Sequence, residues 1–459
     1  MHTPSLLIAA GLVLSSTLLL RAATREIIVP GAAAAAGTTD SDRSPAAAAA
    51  ECGGEPCDAI LRGLGAFLDR KLPGLEGNGR ACADCHMPTD SFQLSPASVE
   101  LRFQLLQWRR RFNPKADDPL FRPVDADDFR ALGDDAHDYS NLRQNGLVRV
   151  TFPLPPNIRV IDPATGAPSA DTFVDVFRAV PTVENVALTG PDGINPWPRG
   201  PNPSGGYQLD GRFETLQEQA LAALTAHAQV RNAPSPRMLD DLASFQRILF
   251  TNPRVRALAD AVRDGTSPLP DADGPLTALE QAGKAVFVRA CAQCHGGPGQ
   301  STPQPPVIRF HDISSQCPRP VDVVVPARFA FAPCPPQLAR NARTYEITLA
   351  NGTTVRRTSS DPGRALLTGF VGGPAPQDDW NKLDVPGLRG LRRTAPYFHN
   401  NSAATIEAVV DHYTEFFKRA IANAPAGPGA PILSTDGVHA DRPPTPEERL
   451  PLIAYMKTL

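Results

Sequence analysis

The sequence predicts a helical protein in which short helices are joined by long irregular loops. Its 459 residues include 49 prolines and 35 glycines but only 6% aromatic residues. This mixture disfavours both a regular helix bundle and a large sheet. The length predicts two or three domains with enough material for a buried core. The net charge of −3 indicates no binding surface for nucleic acid or another polyanion.

One pentapeptide motif occurs twice: residues 82–86 read Cys-Ala-Asp-Cys-His, and residues 291–295 read Cys-Ala-Gln-Cys-His. Cys-x-x-Cys-His is the attachment site of a c-type haem. In a helical turn, cysteines three apart lie on one side, so two thiols reach the haem vinyls while the imidazole reaches the iron. A zinc site is the alternative, but zinc ribbons pair their Cys-x-x-Cys units only about 20 residues apart. The motifs therefore predict two covalently bound haems c, held by Cys82, Cys85, His86, Cys291, Cys294 and His295.

The N-terminal segment predicts export from the cytoplasm. Leu6–Leu20 is an apolar run with the length of a signal-peptide core, too short for a comfortable membrane span. Arg21 and Arg25 follow this run instead of preceding it, which leaves an uncleaved membrane anchor as an alternative. Residues 31–50 are rich in Ala, Ser and Thr, which is typical of a flexible tether. Because haems of this kind are attached outside the cytoplasm, we expect a periplasmic protein whose only membrane contact is a possible N-terminal anchor.

Four further cysteines form two local pairs, Cys52 with Cys57 and Cys317 with Cys334. In an oxidising compartment each pair is a candidate disulfide that closes a short loop, and two pairs of buried free thiols are the alternative.

Apolar residues at helical spacing precede both haem motifs. The first such helix is predicted at 58–72, where Pro73 and Gly74 end it, and the second at 278–288. Two more are predicted at roughly 213–231 and 236–262. Further helices are expected from Ile406 through Tyr413 and from Thr445 to the C-terminus.

Turn residues mark the other boundaries. Residues 345–358 predict a hairpin that turns at Asn351-Gly352. Residues 264–275 are typical of a linker between domains. The predicted division is therefore a signal peptide or anchor with its tether at 1–50, a first haem domain at 51–265, and a second at 266–459.

Several motifs occur in order between and after the two pentapeptides. They are Pro181-Thr182, Asp210-Gly211-Arg212, Leu-Gln-Glu-Gln-Ala at 216–220, and Thr-Ala-Pro-Tyr-Phe-His at 394–399. With the pentapeptides, they resemble the bacterial di-haem cytochrome c peroxidase family, which includes the tryptophan-modifying enzyme MauG. The resemblance covers nearly everything from about residue 55 to the end. It implies an all-α fold of two cytochrome c-like haem domains, with a peroxidatic first haem and a second haem that relays electrons.

Two departures from the family concern the outer ligands of the irons. The histidine that closes the first haem of resting peroxidases is expected near position 102, which is an arginine, and His137 is the only other histidine before His227. The first iron is therefore predicted to keep an open position, as in MauG. At the second haem, the family's methionine ligand corresponds to Tyr413, as in MauG, and the adjacent His412 is the rival ligand; an ordinary core tyrosine is the third possibility.

A third departure concerns acid–base chemistry. The family's catalytic glutamate corresponds to Gln229, which cannot titrate. His227 lies two residues away and is the predicted substitute, although residues two apart on a helix do not share a face. An iron-ligating or ordinary surface role for His227 remains an alternative. Gln219, the last glutamine of the Leu-Gln-Glu-Gln-Ala motif, is predicted to donate a hydrogen bond in the same pocket.

Two further family features are missing. The tryptophan that normally lies between the haems is Leu209, so electron transfer would use Tyr207, Trp197 or no aromatic residue. The asparagine that binds a bridging calcium corresponds to Ala179, although Thr394 and Pro396 still offer carbonyl oxygens. One calcium ion is therefore a possible cofactor.

The resemblance implies that the protein reduces hydrogen peroxide at the first haem. A small redox protein such as a cytochrome c would supply the electrons through the second haem. One rival function is MauG-like or oxygenase-type oxidation of an organic or protein substrate, with dioxygen or peroxide as oxidant. The other is a non-catalytic di-haem electron carrier with both irons closed.

Overall fold

The structure is a computed structural model. It describes residues 52–122, 124–126, 139–190, 206–301, 309–316, 336–372, 378–422 and 443–459.

Twelve α-helices lie in the described ranges, most of them short. The long helices surround the two haem motifs, and four single-turn 3₁₀ segments, including Cys82–Asp84, lie between them. The helices are α1 Cys57–Leu68, α2 Pro96–Arg110, α3 Ser140–Asn145, α4 Val186–Thr189, α5 Leu216–Ala226, α6 Pro236–Arg247, α7 Pro253–Arg263, α8 Ala278–Ala290, α9 Pro336–Ala339, α10 Ala365–Thr368, α11 Ile406–Ala422 and α12 Pro446–Met456.

The prediction of an all-α fold is wrong. The structure contains 39% helix and 14% strand, and its strands form three antiparallel sheets. One sheet pairs β1 with β3, a second has the order β2-β5-β6, and a third pairs β4 with β7. The strands are β1 Leu147–Pro153, β2 Ile158–Val160, β3 Phe173–Ala179, β4 Phe310–His311, β5 Arg343–Thr348, β6 Thr354–Ser359 and β7 Leu383–Asp384.

The physical reason for this error is visible in β1 and β3. Both alternate apolar with polar residues, and Phe152, Val174 and Val176 point into a buried core that also contains β5. Period-two alternation of β-branched and aromatic residues is a strand signal. The composition of the whole chain does not reveal such a local alternation, because it counts residues without regard to their order. The hairpin predicted at 345–358 is confirmed as β5 and β6.

The second sheet crosses the predicted boundary between domains. β2 lies in the first predicted domain and pairs with β5 in the second, with Ile158 opposite Ile347. A buried ion-pair network lies nearby, in which Arg178 of β3 contacts Asp210 and binds both carboxylate oxygens of Asp361. The two halves are thus joined by backbone hydrogen bonds and by buried charges.

Each haem motif follows a helix that crosses a later helix at a glycine. In α1, a Cβ added to Gly63 would lie 1.9 Å from the carbonyl oxygen of Asp241 in α6. In α8, a Cβ added to Gly283 would lie 1.9 Å from the carbonyl oxygen of Pro451 in α12. Beside each crossing, an aromatic pair packs at ring-centroid distances of 5.2 Å and 5.3 Å, namely Phe67 with Phe245 and Phe287 with Tyr455. The same close crossing is therefore built twice in the chain.

The predicted helix at 236–262 is two helices. α6 ends at Arg247, and α7 begins at Pro253, where the side chain of Asn252 caps the first turn. Proline is favoured at the first turn of a helix, so Pro253 starts a new helix instead of continuing the old one. The helices predicted before each haem motif and at the C-terminus are confirmed as α1, α8 and α12.

One of the two predicted disulfides is present, between Cys52 and Cys57. Cys317 and Cys334 lie outside the described residues, as does the predicted signal or anchor segment at 1–50. Within the ranges that are described, no helix is long and apolar enough to cross a membrane.

Candidate functional site

Both Cys-x-x-Cys-His motifs adopt the same tight turn. The His86 amide donates to the Cys82 carbonyl at 2.9 Å, and the His295 amide donates to the Cys291 carbonyl at the same distance. This turn places the histidine directly beside its two cysteines. None of the four motif cysteines is part of a disulfide.

Each motif histidine is oriented through its Nδ1 atom by a backbone carbonyl. His86 Nδ1 lies 3.1 Å from the Phe92 oxygen, and His295 Nδ1 lies 3.2 Å from the Gln300 oxygen and 3.1 Å from the Pro386 oxygen. These contacts assign the proton to Nδ1, which leaves the Nε2 lone pair of each ring for a metal. Burial lowers the pKa of His86, and that of His295 to about 4, so both rings are neutral at pH 7. Neutral imidazole is the ligand form.

The first motif lines a cavity of about 300 Å³. Cys82, Cys85 and His86 form part of its wall, and Phe67 and Leu242 are among the apolar side chains that complete that wall. Its volume is within the usual range of small-molecule and cofactor sites.

The polar wall of this cavity includes a carboxyl group. Glu184 is buried, its Oε2 atom has no hydrogen-bond partner, and burial raises its pKa. An unpaired polar atom in a mostly apolar wall is typical of a ligand site. Two thiols, a neutral imidazole and this cavity together fit a c-type haem at the first motif.

Another part of the cavity wall is formed by α5 and by His227, the residue that follows this helix. Gln219, Ala223 and His227 all line the cavity, as the sequence predicts for Gln219 and His227. α5 ends at Ala226, and Gln229 is exposed with a left-handed backbone at φ 49°. Residues two apart on a helix do not share a face, but this rule does not apply to His227 and Gln229 because the helix has ended before Gln229.

Arg102, at the position expected for a closing histidine, lies away from this wall. Its guanidinium binds Asp84 and Asp118. His137 lies outside the described residues.

A second cavity of about 450 Å³ adjoins the first at His227. Arg149 and Phe213 line it together with exposed Gln229. The residues that line both cavities are Asp125, Val150, Gln208, Arg212, Ala223 and His227.

The two halves of the chain repeat the turn that precedes α5 and α11. Tyr207 pairs with Phe213, and Tyr397 pairs with Ala403, each through hydrogen bonds of 2.7 and 3.4 Å. The next residues, Gln208 and Phe398, both have left-handed backbones.

This repeat aligns residues of the first half with residues of the second. Tyr207 and Tyr397 are 190 positions apart in the sequence. With the same offset, Tyr413 in the second half corresponds to Ala223 in the first. Where the second half carries a tyrosine, the first half carries a methyl group beside a cavity. Sequence reasoning missed Ala223, although alignment of the chain with itself contains the signal.

Tyr413 lies near the second haem motif. It packs against the apolar cluster that includes Cys291, and burial together with the Cys294 and Cys291 thiols raises its pKa. His412 points elsewhere, since its Nε2 atom lies 2.8 Å from the Ile313 carbonyl oxygen. Of the two candidate ligands, Tyr413 lies close enough to Cys294 and Cys291 for their charges to act on its hydroxyl.

The expected calcium site is not assembled from side chains. Among the described residues, no group of three or more His, Cys, Asp or Glu side chains is arranged to hold a metal ion. The amide of Ala179 donates to the His399 carbonyl at 2.6 Å, and Gln93 Nε2 donates to the Ala395 carbonyl at 2.9 Å. Of the two aromatic residues considered for electron transfer, Tyr207 lines the first cavity, whereas Trp197 lies outside the described residues.

The fold and the site define a class: a mixed α/β chain with two Cys-x-x-Cys-His turns, each beside a crossed helix pair, and a cavity at the first turn. No family model matches the sequence, and no curated protein matches it.

Solved structures do match the fold, at low identity. A MauG-like protein associated with microbial copper homeostasis is 19% identical, covers 88% of each chain and has a TM-score of 0.42. The diheme peroxidase BthA from Burkholderia thailandensis is 18% identical over 88% of this chain and 86% of its own, with a TM-score of 0.38. Hydrazine synthase from Kuenenia stuttgartiensis is 15% identical over 81% and 94%, with a TM-score of 0.32. At this level of similarity, none of these structures assigns a function to this chain.

Proposed function

We propose that this chain is an exported di-haem oxidoreductase that reduces hydrogen peroxide at its first haem. One haem c is bound through Cys82, Cys85 and His86, and the other through Cys291, Cys294 and His295. When bound, the first haem supplies the iron that accepts peroxide and the electrons that cleave it. The Cys52–Cys57 disulfide supports an oxidising compartment such as the periplasm.

The observation that carries this proposal is the difference between the two outer walls. Ala223 and His86 line the same cavity, whereas Tyr413 occupies the position in the second half that the internal repeat makes equivalent to Ala223. An iron with a vacant outer position accepts a small oxidant, and one with a protein ligand transfers electrons. The first site is therefore assigned to peroxide and the second to electron relay.

His227 and Gln219 do the acid–base and positioning work in this proposal. His227 takes a proton from one peroxide oxygen and returns it to the other, which lets the departing oxygen leave as water. Gln219 donates a hydrogen bond that orients the bound oxidant. Two electrons from a small redox protein such as a cytochrome c, with two protons, complete the conversion of peroxide to two waters.

Haem content and ligand access of the purified protein test the proposal. We expect two covalently attached haems, resistant to acid–acetone extraction, and a ferric spectrum in which one haem is high-spin and binds one equivalent of cyanide. We also expect peroxide-dependent oxidation of a reduced small cytochrome. Fewer than two covalent haems, or a protein in which neither iron binds cyanide, would contradict it; the latter result identifies an electron carrier.

The second cavity favours a second candidate function. Its volume of about 450 Å³ beside His227 is larger than peroxide requires, so an organic group has room near the first haem. This favours MauG-like oxidation of an organic or protein substrate. Consumption of oxygen or peroxide with an organic substrate, without turnover of peroxide by any reduced cytochrome, would select this candidate.

The ligand of the second haem is tested by replacing the two neighbouring residues separately. We expect Tyr413→Phe to change the ligand-field bands of the second haem and to raise its potential, because an anionic phenolate stabilises ferric iron. His412→Gln is the matched control and is expected to leave both unchanged. Redox titration followed by optical spectroscopy measures both quantities, and a shift in the His412 variant alone would assign the ligand to His412.

A further inference from the structure

His227 has a buried carboxylate beside the ring nitrogen that a proton-transfer role leaves unused. Its Nδ1 atom lies 3.1 Å from Oδ1 of Asp125. The imidazole is about one-third exposed, whereas the Asp125 side chain is 7% exposed. We propose that Asp125 is the positioning residue of the peroxide site, which holds His227 with its Nε2 atom available as the proton acceptor. This inference rests on the proposed function of His227.

Asp125 is itself held by a buried arginine. Its second oxygen, Oδ2, accepts a hydrogen bond from Nη1 of Arg80, whose side chain is 2% exposed. The Nε and Nη2 atoms of Arg80 both donate to the Pro119 carbonyl, at 3.1 and 2.8 Å. The backbone carbonyl of Asp125 accepts from the Arg149 amide at 2.8 Å. Asp125 is therefore held through both its carboxylate and its backbone carbonyl.

The same arginine also holds the backbone of the histidine. Arg80 Nη1 donates to the His227 carbonyl at 3.1 Å, and Asn78 Nδ2 donates to it at 3.0 Å. Both donors lie just before the first cysteine of the haem motif. The segment that carries Cys82 thus fixes the position of His227 across the cavity.

This arrangement has a defined chemical consequence. A carboxylate next to Nδ1 favours the tautomer with the proton on Nδ1, so Nε2 keeps its lone pair. When Nε2 takes a proton, the adjacent carboxylate stabilises the imidazolium, and the Arg80 pair keeps the resting carboxylate from being an isolated buried charge. A base oriented by a third group is the arrangement that recurs in proton-transfer sites. Besides Asp125 and Arg80, several charged or titratable residues line the two cavities. They are Cys82, Cys85, His86, Arg149, Arg178, Glu184, Tyr207, Arg212, Arg309, Asp384 and Arg389.

Cyanide binding to the ferric holoprotein tests the inference without turnover, because hydrogen cyanide must lose its proton to bind. We expect His227→Gln to slow binding by about 100-fold, the usual contribution of a positioned base. Asp125→Asn is expected to slow binding at least tenfold. In the double variant, the rate should equal that of His227→Gln alone, because Asp125 acts through the histidine.

Two further variants separate positioning from folding. Asp118→Asn removes another buried carboxylate that pairs with an arginine, Arg102, but faces neither cavity, so its cyanide rate should match that of the unmodified protein. Asp125→Glu keeps the charge and should recover most of the binding rate; this variant carries the test if Asp125→Asn does not fold.

The outcomes distinguish the two levels of proposal. A slow His227→Gln variant with an unaffected Asp125→Asn variant, or losses that add in the double variant, would overturn the role of Asp125 alone. An unaffected His227→Gln variant would remove His227 from the proposed function, and the inference about Asp125 with it.

Discussion

Replacing Gly283 by alanine is expected to lower the free energy of unfolding by more than about 4 kcal/mol, an exceptional value for one methyl group. The added Cβ would lie 1.9 Å from the Pro451 carbonyl oxygen and 2.8 Å from the Tyr455 Cβ, so α8 and α12 cannot keep their crossing. Separation of these helices also opens the core beside Cys291. Urea unfolding followed by circular dichroism, with the retained haem measured in parallel, tests this expectation.

The first half of the chain provides both a repeat and a control. Gly63→Ala should be comparably destabilising, because its Cβ would meet the Asp241 carbonyl oxygen in the same way. Gly65→Ala lies two residues further along α1, where an added Cβ has no neighbour within 4 Å. That variant should be neutral or more stable by about 0.5–1 kcal/mol, since alanine favours the helix. Equal stabilities of the Gly63 and Gly65 variants would contradict the role assigned to the crossing.

Replacing Ala223 by tyrosine is expected to abolish the difference between the two haem sites. The internal repeat places Ala223 where the second half has Tyr413, and Ala223 lies on the cavity wall that also carries Gln219 and His227. The new side chain should fill the space between Gln219 and His227. We expect cyanide binding and peroxide turnover to fall by at least about 100-fold, the lower end of what general acid–base catalysis contributes, while covalent haem content is unchanged.

The matched control is Leu221→Tyr, on the exposed face of the same helix α5. It adds a tyrosine without entering either cavity, so cyanide binding should remain normal. The reciprocal change, Tyr413→Ala, should let a second equivalent of cyanide bind. Normal cyanide binding in Ala223→Tyr would mean that this position does not control access to the first site.

The helices that form the haem sites follow from local sequence. Apolar spacing located α1, α8 and α12, and the pentapeptides located both turns, because each of these features is encoded within a few residues. The strands β1, β2 and β3 were missed. β1 and β3 show clear alternation, but β2 has three residues and is stabilised only by pairing with β5, a contact between distant parts of the chain.

The candidate site also contains residues that local sequence predicts and residues that only distant contacts bring into place. His86 and His295 were predicted from the pentapeptides, and Gln219 and His227 from the family resemblance. Asp125 was not, since it lies about 100 residues before His227 in a stretch with several other aspartates, and nothing local distinguishes it. Only the fold brings its carboxylate to Nδ1 of the histidine.

The sequence by itself determined the two Cys-x-x-Cys-His turns and the helices that precede them, and it supplied the candidates for proton transfer. Each of these depends on residues close together along the chain. The tertiary structure decided that the halves are joined through a sheet, that Ala223 lines the first cavity, and that Asp125 meets His227. Those features depend on which distant segments pack together, and packing is set by the total burial and charge pairing of the folded chain, which no short stretch of sequence encodes.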